Sequence, residues 1–399
     1  MKFCFRALSL TAFSIFSIVS CQKTMPFALE ENELLDGPIE GLSIEQQLQF
    51  LRGDVAFNDD VFTVEKGLGP IFIANSCGSC HAGDGKGHPF ITFTRFGQPD
   101  TLGNQFLNLG GPQLQHRAIP GYQPEQLPTA ATFTNLIAPA VTGLGFLDAV
   151  SDADIIALSD PNDQDGDGIS GRPHWNSIPN YVQLRPNSIS QNGRYITRFG
   201  KKGAAYDLLH QTSGAYNQDM GITSLFEPID PYSGLELEPE VAMQTIQDVV
   251  FYLKTLKAPL RRNEDEPDVL AGEQIFTQIN CAGCHISTLQ TGTSPIEVLS
   301  NKEFYPYTDL LLHDMGSELD DNYTEGYALT NEWKTPALWG LGLSEDSQGG
   351  SYFLMHDGRA TSIEEAILLH GGEAQLAKTN YTQLTETEKQ QLIKFLESL

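Results

Sequence analysis

Apolar residues run almost unbroken from about Ala7 to Val19, behind a short start that holds Lys2 and Arg6. The run is shorter than the roughly 18 residues of a spanning helix, and its basic start gives it the form of an export leader. Further on, apolar positions fall at helical spacing in a capped start at Ser43 to Phe50, then in Pro239 to Lys257, Asp265 to Ile279, Ser362 to Leu369 and Thr385 to Leu396. The 37 glycines and 22 prolines punctuate what lies between, notably 82–128 and 158–193, as irregular chain. The pattern predicts a mainly α protein with long irregular loops and minor β. A break at Lys257-Ala258-Pro259, followed by the charged stretch Arg261 to Asp268, marks a domain boundary near 258–268.

The leader ends in Ile18-Val19-Ser20-Cys21, a small-residue cleavage site set directly before a cysteine. This resembles a bacterial lipobox, so Cys21 is expected to carry a lipid anchor; an ordinary secretory signal is the alternative. The chain then divides into a signal at 1–20, a tether and lead-in helix at 21–54, and two larger domains at 55–260 and 261–399. Losing the leader moves the formal charge from −27 to −29, because its only charged side chains are Lys2 and Arg6. Such a surface repels nucleic acid and suits basic or metal-bearing redox partners. The expected location is exported and membrane-anchored, periplasmic or at the cell surface.

Six cysteines in an exported chain would ordinarily suggest disulfides. Here Cys4 falls in the leader and Cys21 at the lipid site. The other four form Cys77-Gly78-Ser79-Cys80-His81 and Cys281-Ala282-Gly283-Cys284-His285. The pattern C-x-x-C-H attaches c-type haem: two thiols form thioethers, and the histidine that follows ligates the iron. A zinc site or a redox dithiol explains the cysteines but not a histidine after each pair. Pro139-Ala140-Val141-Thr142-Gly143-Leu144-Gly145 is echoed by Pro336-Ala337-Leu338-Trp339-Gly340-Leu341-Gly342, at 58 and 51 residues beyond the two histidines. Two covalently bound haems c in two cytochrome c-like haem domains are therefore expected, one plan used twice.

Several further segments carry a family resemblance. They are Gly67-Leu68-Gly69-Pro70, Asp165-Gly166-Asp167-Gly168-Ile169-Ser170-Gly171-Arg172-Pro173, Arg198-Phe199-Gly200 and Asp219-Met220-Gly221-Ile222-Thr223-Ser224. After the second haem motif come Leu312-His313-Asp314-Met315-Gly316, Lys334-Thr335-Pro336-Ala337-Leu338-Trp339-Gly340 and His356-Asp357-Gly358-Arg359. The chain resembles the bacterial di-haem oxidoreductases of peroxidase type, relatives of the di-haem cytochrome c peroxidases, over roughly residues 55 to 375. It departs from them at Lys201, where they usually have Trp. Some members of that family are called thiol oxidoreductases, but no cysteine is left over here to cycle.

The resemblance implies two unlike irons: one closed on both faces for electron transfer, one with an exchangeable face for peroxide. In the related peroxidases an H-x-G segment is followed about fourteen residues later by the ligand that closes the electron-transfer haem. Counted from His356, that position is His370, which also ends an expected helix before Gly371-Gly372. Met315 and His313 compete for the same role. Near the first haem, Arg198, Lys202, Asp219 and Met220 are the candidates for assisting peroxide cleavage. Trp175 and Trp339 are the aromatics best placed between the haems, or else core residues.

The expected function is a di-haem peroxidase that reduces hydrogen peroxide at haem one with electrons relayed by haem two from a redox protein donor. The alternative is a pure electron-transfer cytochrome; a third class would oxidise a protein partner, as methylamine-utilisation relatives do. Separately, Asp163, Asp165 and Asp167 alternate before glycines as in an EF-hand loop, but position twelve is His174 instead of Glu. Calcium binding is one reading of this loop, and a solvated turn the other.

Overall fold

The computed structural model describes residues 34–399, so the expected leader and Cys21 lie outside the described part. Residues Leu35–Leu399 form one compact unit of helices and irregular chain with only short strands. In order the helices are α1 Ile44–Asp54, α2 Leu144–Ala149, α3 Asp152–Leu158, α4 Leu208–Met220 and α5 Met243–Thr255. They continue as α6 Pro267–Gln278, α7 Ser344–Ser347, α8 Ile363–Leu369, α9 Gln375–Gln383 and α10 Glu386–Ser398. Among the described residues no helix is long and apolar enough to cross a membrane.

Local chemistry sets the helix ends. Ser43 and Thr385 each close a capping box, with Gln46 and Glu388 reaching back to the cap, so α1 and α10 begin where a free N–H finds an acceptor. Pro267 opens α6, and Gly221, at φ +67°, closes α4 in the left-handed region. The stretch Pro239 to Lys257, expected to be helical throughout, is helical only from Met243 to Thr255, because Ala242 stays extended. The segment 82–128 is not wholly irregular. Phe93–Gly97 pairs antiparallel with Thr132–Leu136, a ladder whose alternation in the sequence is too short to stand out. Helices α4 and α9 were not foreseen, since their apolar positions are sparse.

One packing plan occurs twice. Helix α1 crosses α5 at Gly53, where a Cβ would overlap the Asp248 carbonyl; α6 crosses α10 at Gly272, where it would overlap the Gln391 carbonyl. Phe57 stands between His81 and Tyr252, at ring distances of 5.6 and 5.5 Å. Phe276 stands between His285 and Phe395, at 6.4 and 5.2 Å. The echoed loops obey the plan too: Gly143 and Gly340 have φ of +69° and +68°, and Gly145 and Gly342 pack flat on the Lys254 and Glu397 carbonyls of the closing helices. These glycines are required because any side chain would separate loop from helix.

The apolar cores follow the same division with one bridge. One cluster, around Phe276, Leu392 and Phe395, draws its buried members only from residue 269 onward. Another, around Phe50, Phe57 and Tyr252, draws them from residues 42–256. A third joins Leu147, Val150 and Ile155 to Phe304, Leu311 and Trp339, from both sides of residue 260.

Candidate haem cavity and active site

Each C-x-x-C-H motif folds as a single tight turn, Cys77–Ser79 and Cys281–Gly283, and each histidine N–H donates back to the first cysteine carbonyl at 3.0 Å. Both thiol pairs and both histidines line one cavity of about 540 Å³. Burial pushes Cys77, Cys80 and Cys281 up to about 12, so these sulfurs are neutral thiols in the cavity wall. Among the described residues no three cysteines converge, which removes a shared four-cysteine zinc site.

The histidine tautomers sort the ligand candidates. A haem-ligating imidazole typically donates its Nδ1–H to a carbonyl and keeps a lone pair on Nε2. His285 does so toward Tyr307 O at 2.9 Å, and His370 toward Ala366 O at 2.7 Å. Both line the cavity, and His370 acts electrostatically on His285. His81 lies beside the Pro139 backbone, its Nδ1 short of a formed hydrogen bond. Burial holds His81 and His285 down at about 4, hence neutral. These side chains fit two haems: buried neutral sulfurs, imidazoles with free Nε2, and an apolar wall.

Four of the remaining six histidines are otherwise engaged. His313 is fixed through Nε2 to Asp309 at 2.8 Å and through Nδ1 to Glu373 at 2.7 Å. Burial pushes its pKa down, but hydrogen bonds to Asp309, Cys284 and Glu373 prevail and hold it up at about 12. It is a buried imidazolium beside Cys284 and has no nitrogen left for iron. His174 uses both nitrogens, on Lys202 O and Tyr327 N. His356 stacks on Trp333 at 3.8 Å. His210 lines the cavity but accepts from Tyr206 N–H at Nδ1, 3.2 Å away, which puts its proton on Nε2 as a donor. Met315 lines the cavity as well.

Around the first motif the cavity wall is polar. Asp219 accepts from the Gln113 amide and feels Arg95; burial pushes its carboxyl up and these two hold it back, leaving it at about 6. Arg95 meets Glu325 at 2.7 Å and donates to Gln113 at 3.2 Å. Sequence reasoning singled out Asp219 but missed Arg95, Gln113 and His210; only long-range folding brings them together, and no local signal marked them.

Two expected catalytic cations are structural. Arg198 is buried on Asp152 at 2.5 Å and on the Leu147 and Val150 carbonyls. Lys202 donates to the carbonyls of Leu329, Thr330 and Glu332 and sits over Trp333. Lys202 spends its donors on those three carbonyls. Arg198 lines the cavity and keeps its Nε unpartnered, but its charge is neutralised by Asp152. Met220 lines the cavity from a core of Phe62, Leu68 and Tyr216, and offers no proton. Of the two tryptophans, Trp339 lines the cavity and packs against Gly143, whereas Trp175 lies in a separate strand pair outside it.

The Asp163, Asp165 and Asp167 carboxylates converge within 4.8 Å of one another on the surface. The loop leads to Ile169, which packs on Gly283 of the second motif, and to Ser170, which donates to Glu373.

Two imidazole-bearing C-x-x-C-H turns opening on one cavity define a class, the haem-dependent redox proteins. Residues 132–399 match the family described as "Di-haem oxidoreductase, putative peroxidase", and the chain belongs to that family. It is thus an oxidoreductase that uses haem. The matched stretch holds the second motif; the first precedes it. No curated protein matches the chain. Among solved structures it is similar to the hydrazine synthase of Kuenenia stuttgartiensis (13% identity, 94% of each chain, TM-score 0.41). A MauG-like protein associated with microbial copper homeostasis is similar at 13% identity over 94% of this chain and 95% of that one, TM-score 0.40. The diheme peroxidase BthA from Burkholderia thailandensis E264 is similar at 15% identity over 88% and 86%, TM-score 0.42.

Proposed function

We propose that the protein is a di-haem c-type peroxidase that reduces hydrogen peroxide to water beside Cys77–His81, with electrons passed on from the Cys281–His285 side by a redox protein donor. The observation that carries this reading is the asymmetry of the cavity. At the second motif His285 is joined in the cavity wall by a further imidazole, His370, each with Nε2 free, so two imidazoles would be available to hold a haem there. In the first motif's part of the wall the imidazole, His210, carries its proton on Nε2 and feels Arg95, which is bonded through Gln113 to Asp219. Haem iron, when bound, supplies the peroxide site and the electrons that break the O–O bond.

The protein's own groups supply the rest. The Asp219 carboxyl keeps its proton up to about pH 6 and can hand it to the departing oxygen. Arg95 and the His210 Nε2–H are donors for the negative charge that builds there. A pure electron carrier would close both irons alike; among the described residues no second imidazole with a free Nε2 stands by the first motif, where Met220 packs in the cluster that holds Cys77. Electron paramagnetic resonance of the holoprotein tests the reading. A high-spin component in the mixed-valence form is expected, and two low-spin ferric signals in every redox state would refute it.

The leader and Cys21 are proposed to place this body on the outer face of a membrane through a lipid. The aspartate loop is proposed as a calcium site that steadies the second motif through Ile169 and Ser170. Calorimetric titration should find calcium binding in the parent and none in Asp165→Ala.

A further inference from the structure

We infer that Lys86, Lys201 and Lys334 form a carboxylate-binding cluster in the cavity wall, and that it takes the propionate groups of the haems. The inference rests on the haem reading above and adds the groups that seat the cofactor's charged edge. All three lysines are half-buried and line the cavity. Lys202, Lys254 and Lys394 each meet a carboxylate. The cavity lysines meet none within ion-pair distance among the described residues, in a chain with 51 acidic side chains to 24 basic ones. Among the described residues the only hydrogen bond from their ammonium groups runs from Lys334 to Thr335 O, at 3.2 Å.

Their backbones are fixed from three directions. Lys334 N–H donates to Lys201 O at 3.2 Å, which ties the turn after Gly200 to the strand Glu332–Lys334. A Cβ at Gly203 would lie 3.3 Å from Lys334 Cδ, so that glycine leaves room for the side chain. Lys86 is held by its neighbour: Gly87 N–H donates to Ala138 O at 2.9 Å, and Gly87 O accepts from Gln348 at 2.8 Å. Like charges gathered without an anion are unfavourable in proportion to their burial. Burial and the neighbouring Lys86 and Lys334 drive Lys201 down to about 7, and burial brings Lys86 and Lys334 to about 8. Asp357 acts on Lys201 and Asp309 on Lys334 from beyond ion-pair distance, and together they offset only part of this, so the cluster is left short of negative charge.

The cavity is walled mostly by apolar groups and also holds both thiol pairs. A porphyrin attached there brings its own carboxylates, and three ammonium groups answer them. An ammonium paired near the porphyrin edge favours the less positive ferrous iron, so the cluster raises the potential of the haem it holds.

The test uses the holoprotein and its Lys201→Met, Lys201→Arg and Lys86→Met variants. Pyridine haemochrome analysis counts haems, resonance Raman follows the propionate bending bands, and spectroelectrochemistry reads both midpoint potentials. Lys201→Met and Lys86→Met are each expected to keep two haems, shift a propionate band and move one potential downward, with Lys201→Arg restoring the parent values. Two haems with parent bands and potentials in both Met variants would overturn the inference alone. Fewer than two haems in the parent would overturn it together with the haem reading. Saturable shifts on adding inorganic phosphate at constant ionic strength, lost in Lys201→Met, would assign the cluster to a free anion and overturn the propionate assignment.

Discussion

His370 and His210 show how a single hydrogen bond assigns a histidine its chemistry. Nδ1 of His370 donates to a carbonyl and frees Nε2 as a lone pair, whereas Nδ1 of His210 accepts from an N–H and forces the proton onto Nε2. Replacing His370 with Ala should convert one low-spin haem to high-spin, seen in the optical and paramagnetic spectra; an unaltered spectrum rules out the ligand role. Asp219 works by protonation state. Its carboxyl is raised to about 6, so the acid form that donates a proton is full below that pH and falls about tenfold per unit above it. Peroxide turnover in the parent should therefore decline above pH 6. Asp219→Asn should lose that limb and about 10²- to 10⁴-fold in kcat, with KM little changed. The motif cysteines and histidines were legible in the sequence because five adjacent residues suffice to place haem. The cluster of Asp219, Gln113 and Arg95 was not, because its members lie on separate segments with no common spacing.

At the scale of elements the governing fact is the paired helix crossing. Gly53 and Gly272 let α1 meet α5 and α6 meet α10 at backbone contact, which sets Phe57 and Phe276 beside the two haem histidines. Gly272→Leu would drive a side chain into the Gln391 carbonyl and Phe395, and should destabilise the protein by about 1–3 kcal/mol or more. Chemical denaturation of the holoprotein checks this, with looser haem absorbance as its companion. Helices α1, α5, α6, α8 and α10 could be read from periodicity and caps. Helix α4 could not, although it carries His210 and Asp219, since its sequence mixes polar and small residues and its helicity depends on packing against α5. Arg198 was misread for the same kind of reason: a cation inside a motif looks functional until its partner, Asp152, is known.

For the molecule as a whole, two half-plans share one cavity and one bridging core, so the irons they hold are expected to communicate. Trp339 stands at that junction, on Gly143 of the other echo. Placement in the cell is proposed to rest on a lipid at Cys21. Cys21→Ser should abolish incorporation of labelled palmitate and release the protein from the membrane fraction; labelling that persists would exclude the lipid at Cys21.

The sequence by itself pointed to haem, the repeat and the family, because the proposed attachment motifs are contiguous and repeats survive as local echoes. Tertiary structure alone decided which histidines keep a free Nε2, which cations are already paired, and which lysines have no anion. Those properties are set by the partners that distant segments bring within 3 Å, and linear spacing carries no record of them.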